Sequence, residues 1–405
     1  MKYAFFYAAL IAFSGALAQN TNESKFKQLG QELPTPNVYR TASGAPGPNY
    51  YQQKADYVIS IELDDENQKI TGSEKVTYTN NSPDPLNYLW IQLDQNKRAQ
   101  DSDSRKISKG NLPERVTARS LDRLFYDFDG GFKIESVTNT SNKALPYTIN
   151  NTMMRIDLEK PLLKGQKVSF NIKWWYNIND RMKIGGRSGL EYFPAEDNYL
   201  YTIAQFFPRM AVYNDVEGWQ NKQFLGSGEF TLPFGDYTVN ITVPADHVVG
   251  ATGKLQNASS VLTSAQRNRW TKAQKSYDTP VMIVTPEEAL EAEKTKSTEK
   301  KTWTFKATNV RDFAFASSRK FIWDAMAVDI NGRTVMAVSY YPKEGNPLWE
   351  KYSTRVVAHT VKTYSKFTID YPYHKAISVH ANRIGMEYPM ICFNGGRPEA
   401  DGTYS

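Results

Sequence analysis

The chain has 405 residues, 40% of them hydrophobic and 23% charged, with a formal net charge of +6. This is ordinary globular composition, long enough for two domains or more at ~150 residues each. The 49 basic residues are interspersed with 43 acidic ones rather than gathered in a block, which speaks against a nucleic-acid surface.

Residues 1–18 have the pattern of an export signal. Lys2 supplies the positive start, residues 3–13 an apolar stretch too short to span a bilayer well, and Ala16-Leu17-Ala18 a small-residue cleavage site. The sequence thus predicts cleavage after Ala18 and an exported protein, periplasmic or secreted, with no further membrane span. Its single cysteine, Cys392, excludes an intrachain disulfide. Packed cores must supply the stability instead.

Residues 19–50 are polar and carry Pro34, Pro36, Pro46 and Pro48, which predicts an irregular lead-in. Alternation then begins. Tyr57, Ile59, Ile61 and Leu63 predict a half-buried strand, and Gly72, Glu74, Val76 and Tyr78 a second one. Residues 88–93 predict a third. Residues 95–120 are charged and patternless and read as a surface insertion. Strands resume at 133–137 and 154–158, and the rhythm is clearest at Val168, Phe170, Ile172, Trp174 and Tyr176. Residues 178–200, with Gly185, Gly186 and Gly189, read as a long functional or insertion loop. Tyr237, Val239, Ile241 and Val243 alternate again. Residues 256–300 are polar and partly helix-compatible, with Pro286 suited to a first helical turn, and read as an excursion from the sheet. Trp303, Phe305 and Ala307 resume it.

Beyond about residue 325 the period changes. A strand at 335–340 precedes a helix at 350–367, on which Tyr352, Val356, Val357, Thr360, Val361, Tyr364 and Phe367 share one face. A strand at 376–380 and an edge strand around Glu387 follow. The pattern predicts a large β domain over 51–322, with insertions near 98–130 and 256–300, and an unfinished α/β domain over 323–405.

Chemistry is sparse. The four histidines, His247, His359, His374 and His380, make no H-E-x-x-H and no zinc spacing. No phosphate loop, dinucleotide fingerprint or nucleophile elbow occurs. The remaining candidate is Glu387, a lone carboxylate between two apolar runs.

At this point a resemblance enters. Residues 57–93, Gln205-Phe206-Phe207-Pro208-Arg209 with Asn214-Asp215, residues 236–253, Arg311-Asp312-Phe313-Ala314-Phe315-Ala316-Ser317, and Gly385-Met386-Glu387 occur in an order that resembles the M1 family of zinc aminopeptidases. The last of these is similar to the core of the family's G-x-M-E-N exopeptidase motif, with Ile384 where Gly is usual and Tyr388 where Asn is usual. The resemblance implies a saddle-like, β-sandwich N-terminal domain and the first part of a thermolysin-like catalytic domain. It implies an exported zinc aminopeptidase acting on peptides with a free N-terminus, and zinc ligands lying beyond Ser405. On that reading the chain is truncated, carries no catalytic residue of its own, binds no metal and is inactive alone.

What the resemblance does imply within the chain is a substrate-binding set. Glu387 would pair with the peptide's α-ammonium group, held out of water to do so. Gln205 would offer the same amine a neutral acceptor, and backbone groups of Gly385 and Met386 would pair with the peptide as an added strand. The plainer readings are an exposed strand Glu, a satisfied interface Gln and a core Met. A non-enzymatic peptide- or protein-binding module that keeps the β domain is the alternative for the whole.

Overall fold

The computed structural model describes residues 36–107, 114–118, 127–226, 230–399, 401 and 403. The predicted export signal and the first part of the lead-in lie outside them. The chain forms two compact units, Met1–Tyr51 and Gln52–Ser405. Within the first, the described lead-in is irregular, with a single antiparallel bridge between Arg40 and Pro46 and the rings of Tyr39 and Tyr51 edge to face.

The second unit is built mainly of β-strands. A seven-stranded sheet has the order Lys254–Leu255, Lys300–Val310, Gly235–Pro244, Lys54–Asp64, Lys69–Thr79, Lys167–Asn177, Lys133–Asn139. Each predicted alternation forms a strand here. In Lys54–Asp64, Ala55, Tyr57, Ile59, Ile61 and Leu63 are buried and their neighbours are not, because successive side chains point to opposite faces. Lys54–Asp64 runs parallel to Gly235–Pro244, and the other long pairings are antiparallel. Gly72 has a fixed reason: a Cβ there would lie 2.5 Å from the Trp174 ring on the next strand.

Two four-stranded sheets and a two-stranded one, Tyr213–Asn214 with Gly218–Trp219, complete this β region. One four-stranded sheet has the order Arg209–Met210, Leu86–Gln92, Met153–Leu162, Tyr147–Asn150, and the other Val248–Ala251, Phe315–Ser318, Asn198–Ile203, Gly189–Phe193. Residues 178–200, expected as a loop, therefore contain a hairpin. Leu190, Phe193, Leu200 and Tyr201 are buried in it, and this apolar content outweighs the glycine signal. The predicted surface insertion also begins inside the core. The 3₁₀ turn Asp94–Arg98 buries Asp94, Gln95 and Arg98.

A six-stranded sheet follows, in the order Val281–Val284, Ile322–Ile330, Arg333–Tyr341, Lys375–His380, Ile391–Asn394, Gly385–Tyr388. The helix Leu348–Phe367 crosses between the parallel strands Arg333–Tyr341 and Lys375–His380, the usual way to join parallel neighbours. Ile322–Ile330 escaped the periodicity reading because nearly all of its residues are buried and nothing alternates. The 256–300 excursion holds helices Ser264–Ala273 and Pro286–Glu293, each opened by a capping box at Thr263 and Thr285, and returns Val281–Val284 to the sheet. Lys320, fully buried, ties the excursion down through Glu293 at 2.9 Å, Glu344 at 3.0 Å and Glu196 at 3.3 Å. On Leu348–Phe367 the expected apolar face is covered only in part: Val361 is buried, but Tyr352, Val356, Tyr364 and Phe367 are exposed. No described helix is long and apolar enough to cross a membrane.

Candidate functional site

Gln205 follows the strand Asn198–Ile203 with φ at +52°, a left-handed conformation that an L-residue holds only when its surroundings impose it. Three side chains impose it here. Gln95 Nε2 donates to the Gln205 carbonyl at 2.9 Å, Trp174 Nε1 donates to the Phe206 carbonyl at 3.0 Å, and the Ala204 amide donates to Ser188 Oγ at 3.0 Å. Phe206 and Phe207 then anchor the turn in an aromatic cluster with Tyr57, Tyr237, Phe313 and Phe315. The backbone is thus satisfied from behind. The side-chain amide of Gln205 makes no hydrogen bond to a described residue and lines a cleft of about 350 Å³.

The opposite wall is the edge strand Gly385–Tyr388, paired antiparallel with Ile391–Asn394 so that Glu387 lies opposite Cys392. Its turn is pinned where Thr252 Oγ1 donates to the Pro389 carbonyl at 2.8 Å and the Gly253 amide donates to Met390 Sδ at 3.3 Å. Its other end is held by a charged clamp. Glu191 accepts from Arg397 Nη1 at 2.7 Å and from the Asn382 amide at 2.9 Å, while Arg181 donates to the Asn382 carbonyl. Met386, Glu387 and Tyr388 line the cleft with Gln205. Gly385 is on the same strand but is not among the lining residues.

The Glu387 side chain is exposed, which corrects the expectation of a carboxylate held out of water. The reason is its place at the open edge of the sheet, where the strand alternates exposed Gly385 and Glu387 with half-covered Met386 and Tyr388. Among the described residues its carboxylate has no hydrogen bond or ion pair.

The base of the cleft carries charges that sequence reading did not single out. Arg209 sits between two carboxylates, with Nη2 2.8 Å and Nε 3.1 Å from Asp94 Oδ2, and Nη1 2.6 Å from Asp312 Oδ2. All three residues are buried. Burial works against the guanidinium charge, but Asp312 and Asp94 outweigh it and raise its pKa. Burial pushes the Asp312 carboxyl up, with Arg209 opposing it. Tyr388 Oη is buried without a partner, and burial pushes its pKa up, so it remains a neutral donor. The available signal for Asp94 and Asp312 was a carboxylate set beside an apolar run, after Leu93 and before Phe313.

Among the described residues, no three of His, Cys, Asp and Glu come together as metal ligands. His380 illustrates why. Arg397 Nε can only donate to His380 Nε2, at 3.2 Å, which leaves Nδ1 to carry the proton toward the Asn394 carbonyl. Burial pushes this imidazole down to about 3. His247 is bonded to Ser317 Oγ at 2.9 Å and is pushed down to about 4, chiefly by burial.

No protein-family model and no curated protein matches the chain. Solved structures do. An M1 zinc metallopeptidase from Deinococcus radiodurans has 11% identity and a TM-score of 0.46, covering 84% of this chain and 59% of that one. A mutant of that enzyme bound to a Tyr-Ser-Ala substrate has 12% identity and a TM-score of 0.47, covering 84% and 60%. A two-domain M1 zinc metallopeptidase mutant bound to L-tryptophan has 11% identity and a TM-score of 0.49, covering 86% and 62%. The chain spans about 60% of the length of these structures.

Proposed function

We propose that the cleft receives the free N-terminus of a peptide, and that the chain is the amine-recognising part of an exported M1-type zinc aminopeptidase. In this reading 51–322 is the N-terminal β domain and 323–405 the front of the catalytic domain. The observation that supports it is that Gln205 and Glu387, far apart in sequence and each without a side-chain partner among the described residues, line the same cleft. A protonated α-amine would donate to the Glu387 carboxylate and to the Gln205 side-chain oxygen. The edge strand offers backbone groups along which an extended peptide adds as a further strand. An acetylated N-terminus has lost the charge and two of three donors, so it can answer at most one of the two acceptors, and without an ion pair. Hydrolysis by M1 chemistry requires zinc ligands from outside the described residues.

Calorimetry with a tripeptide and its N-acetyl form tests this. The free tripeptide should bind about fivefold tighter, the worth of an exposed ion pair of ~1 kcal/mol, and Glu387→Gln should erase the difference. Because that side chain is exposed, the variant keeps its fold. Equal binding of both peptides by the wild-type chain overturns the assignment. Selective binding without release of nitroaniline from aminoacyl nitroanilides, with or without added zinc, supports the binding-module reading over the enzyme.

A further inference from the structure

A second cavity, of about 420 Å³, lies between the seven-stranded and six-stranded sheets under the helix Ser264–Ala273. Its size falls in the range of small-molecule sites. One wall comes from the six-stranded sheet, where parallel register sets Met336 beside Lys375 and Val338 beside Ile377 on one face. Trp323 and Tyr340 extend that wall, Trp303 and Phe305 form the facing one, and Trp270 comes from the helix.

Lys375 is the anomaly in this aromatic box. It is 9% exposed, its Nζ lies 5.4 Å from the centre of the Phe305 ring, and among the described residues that Nζ has no hydrogen bond or ion pair. Burial alone pushes its amine down to about 7. A buried ammonium without a partner is costly, and proteins keep such groups only where something compensates them. The rest of the lining does not. His374 and Lys254 are the other basic groups, Tyr340 and Thr334 bring hydroxyls, Gln274 brings an amide, and no Asp or Glu lines the cavity. The indole Nε1 atoms of Trp303 and Trp323 are also buried without an acceptor. Donors therefore outnumber acceptors, the local charge is positive, and the walls are aromatic.

We propose that this cavity is a binding site for a small organic carboxylate with an aromatic or bulky apolar body, its carboxylate paired with Lys375. A cation would be repelled by Lys375 and Lys254. A phosphate dianion would cost more to desolvate and would leave the aromatic walls unfilled. The bound carboxylate holds Lys375 protonated, so binding above about pH 7 takes up a proton, and affinity falls as pH rises through that range.

The test is calorimetry on the full chain with phenylacetate, hydrocinnamate and indoleacetate, alongside hydrocinnamamide and phenethylamine. At least one carboxylate should bind saturably. The amide should bind at least about tenfold more weakly, as expected for loss of a charge-assisted hydrogen bond, and the amine should not bind. At pH 8, titrations in buffers of different ionisation enthalpy should report proton uptake. Lys375→Met, which keeps the stem and removes the donor, should abolish both the uptake and the preference for carboxylate over amide. The proposal is overturned if no carboxylate saturates below ~10 mM, if the amide binds as well as the acid, or if Lys375→Met binds as wild type does. The comparison of carboxylate, amide and amine on the unmutated protein decides the matter even if that variant does not fold.

Discussion

Arg209→Met removes the cation that the two buried carboxylates at the base of the cleft share. Three close contacts are lost, two to Asp94 and one to Asp312. Summed as charge-assisted hydrogen bonds they give ~4.5–9 kcal/mol, but the variant also escapes the desolvation of the guanidinium. Breaking a buried pair from one side nets ~3–5 kcal/mol because the other charge is stranded, and that is the expected loss at neutral pH. The deficit should shrink in acid. Without Arg209 the Asp312 carboxyl, already pushed up by burial, is pushed up further. Its folded-state pKa then exceeds the wild-type one, so stability relative to wild type is retained in acid and lost as pH rises, by up to ~1.4 kcal/mol per pH unit. Replacing the carboxylates as well, in Asp94→Asn/Arg209→Met/Asp312→Asn, should recover most of the loss. Urea unfolding at about pH 4.5 and pH 7.5, with unchanged m-values, measures each quantity. A single variant within ~1 kcal/mol of wild type at the higher pH would refute the reasoning, as would a triple variant no better than the single one.

Two further perturbations test the β region. Glu74 is buried with both carboxylate oxygens unpartnered, and burial pushes its pKa well above the usual carboxylate range. Its folded pKa exceeds its unfolded one, so wild type loses stability as pH rises from about 4.3 while Glu74→Gln does not. The variant's advantage should grow by ~1.4 kcal/mol per pH unit until Glu74 itself ionises in the folded protein, and a pH-independent difference in denaturation midpoints would contradict this. At Gly235 an added Cβ would lie 1.6 Å from the Ala55 carbonyl oxygen, a backbone atom that cannot swing aside. Gly235→Ala should therefore cost about 3 kcal/mol or more by chemical denaturation, and a cost under ~1 kcal/mol would show that the parallel pairing with Lys54–Asp64 shifts freely.

The strands made legible by alternation are those with one covered face. Tyr57 to Leu63 and Val168 to Tyr176 alternate because water lies on one side of them. Ile322–Ile330 has protein on both sides and so carries no period, and 178–200 hides a hairpin because its glycines read more loudly than Leu190, Phe193 and Leu200. At the candidate site the two acceptors, Gln205 and Glu387, were legible as motif positions. Their shared cleft was not, since it depends on a left-handed turn held by Gln95, Ser188 and Trp174 and on a clamp through Glu191. Such contacts join residues whose local sequence gives no hint of the partner. Lys375 was invisible for a related reason. It begins a strand beside His374, as a surface lysine would, and only the parallel register beside Met336 turns it inward.

The exposure of Glu387 sets how sharply the cleft can discriminate. A carboxylate in contact with water already has its charge solvated, so exchanging that water for an ammonium group gains little, ~1 kcal/mol or less, and salt screens part of it. Gln205 lies deeper, at 5% exposure, and a neutral oxygen there gains mainly from not being left unanswered. The preference for a free N-terminus in this chain should thus be modest, and should weaken between about 0.01 M and 0.5 M salt as the ionic share is screened. A large preference indifferent to salt would place the amine against some other group. Strong discrimination at Glu387 requires that its open side be covered, so that an unpaired carboxylate becomes expensive and the ammonium that relieves it correspondingly selective.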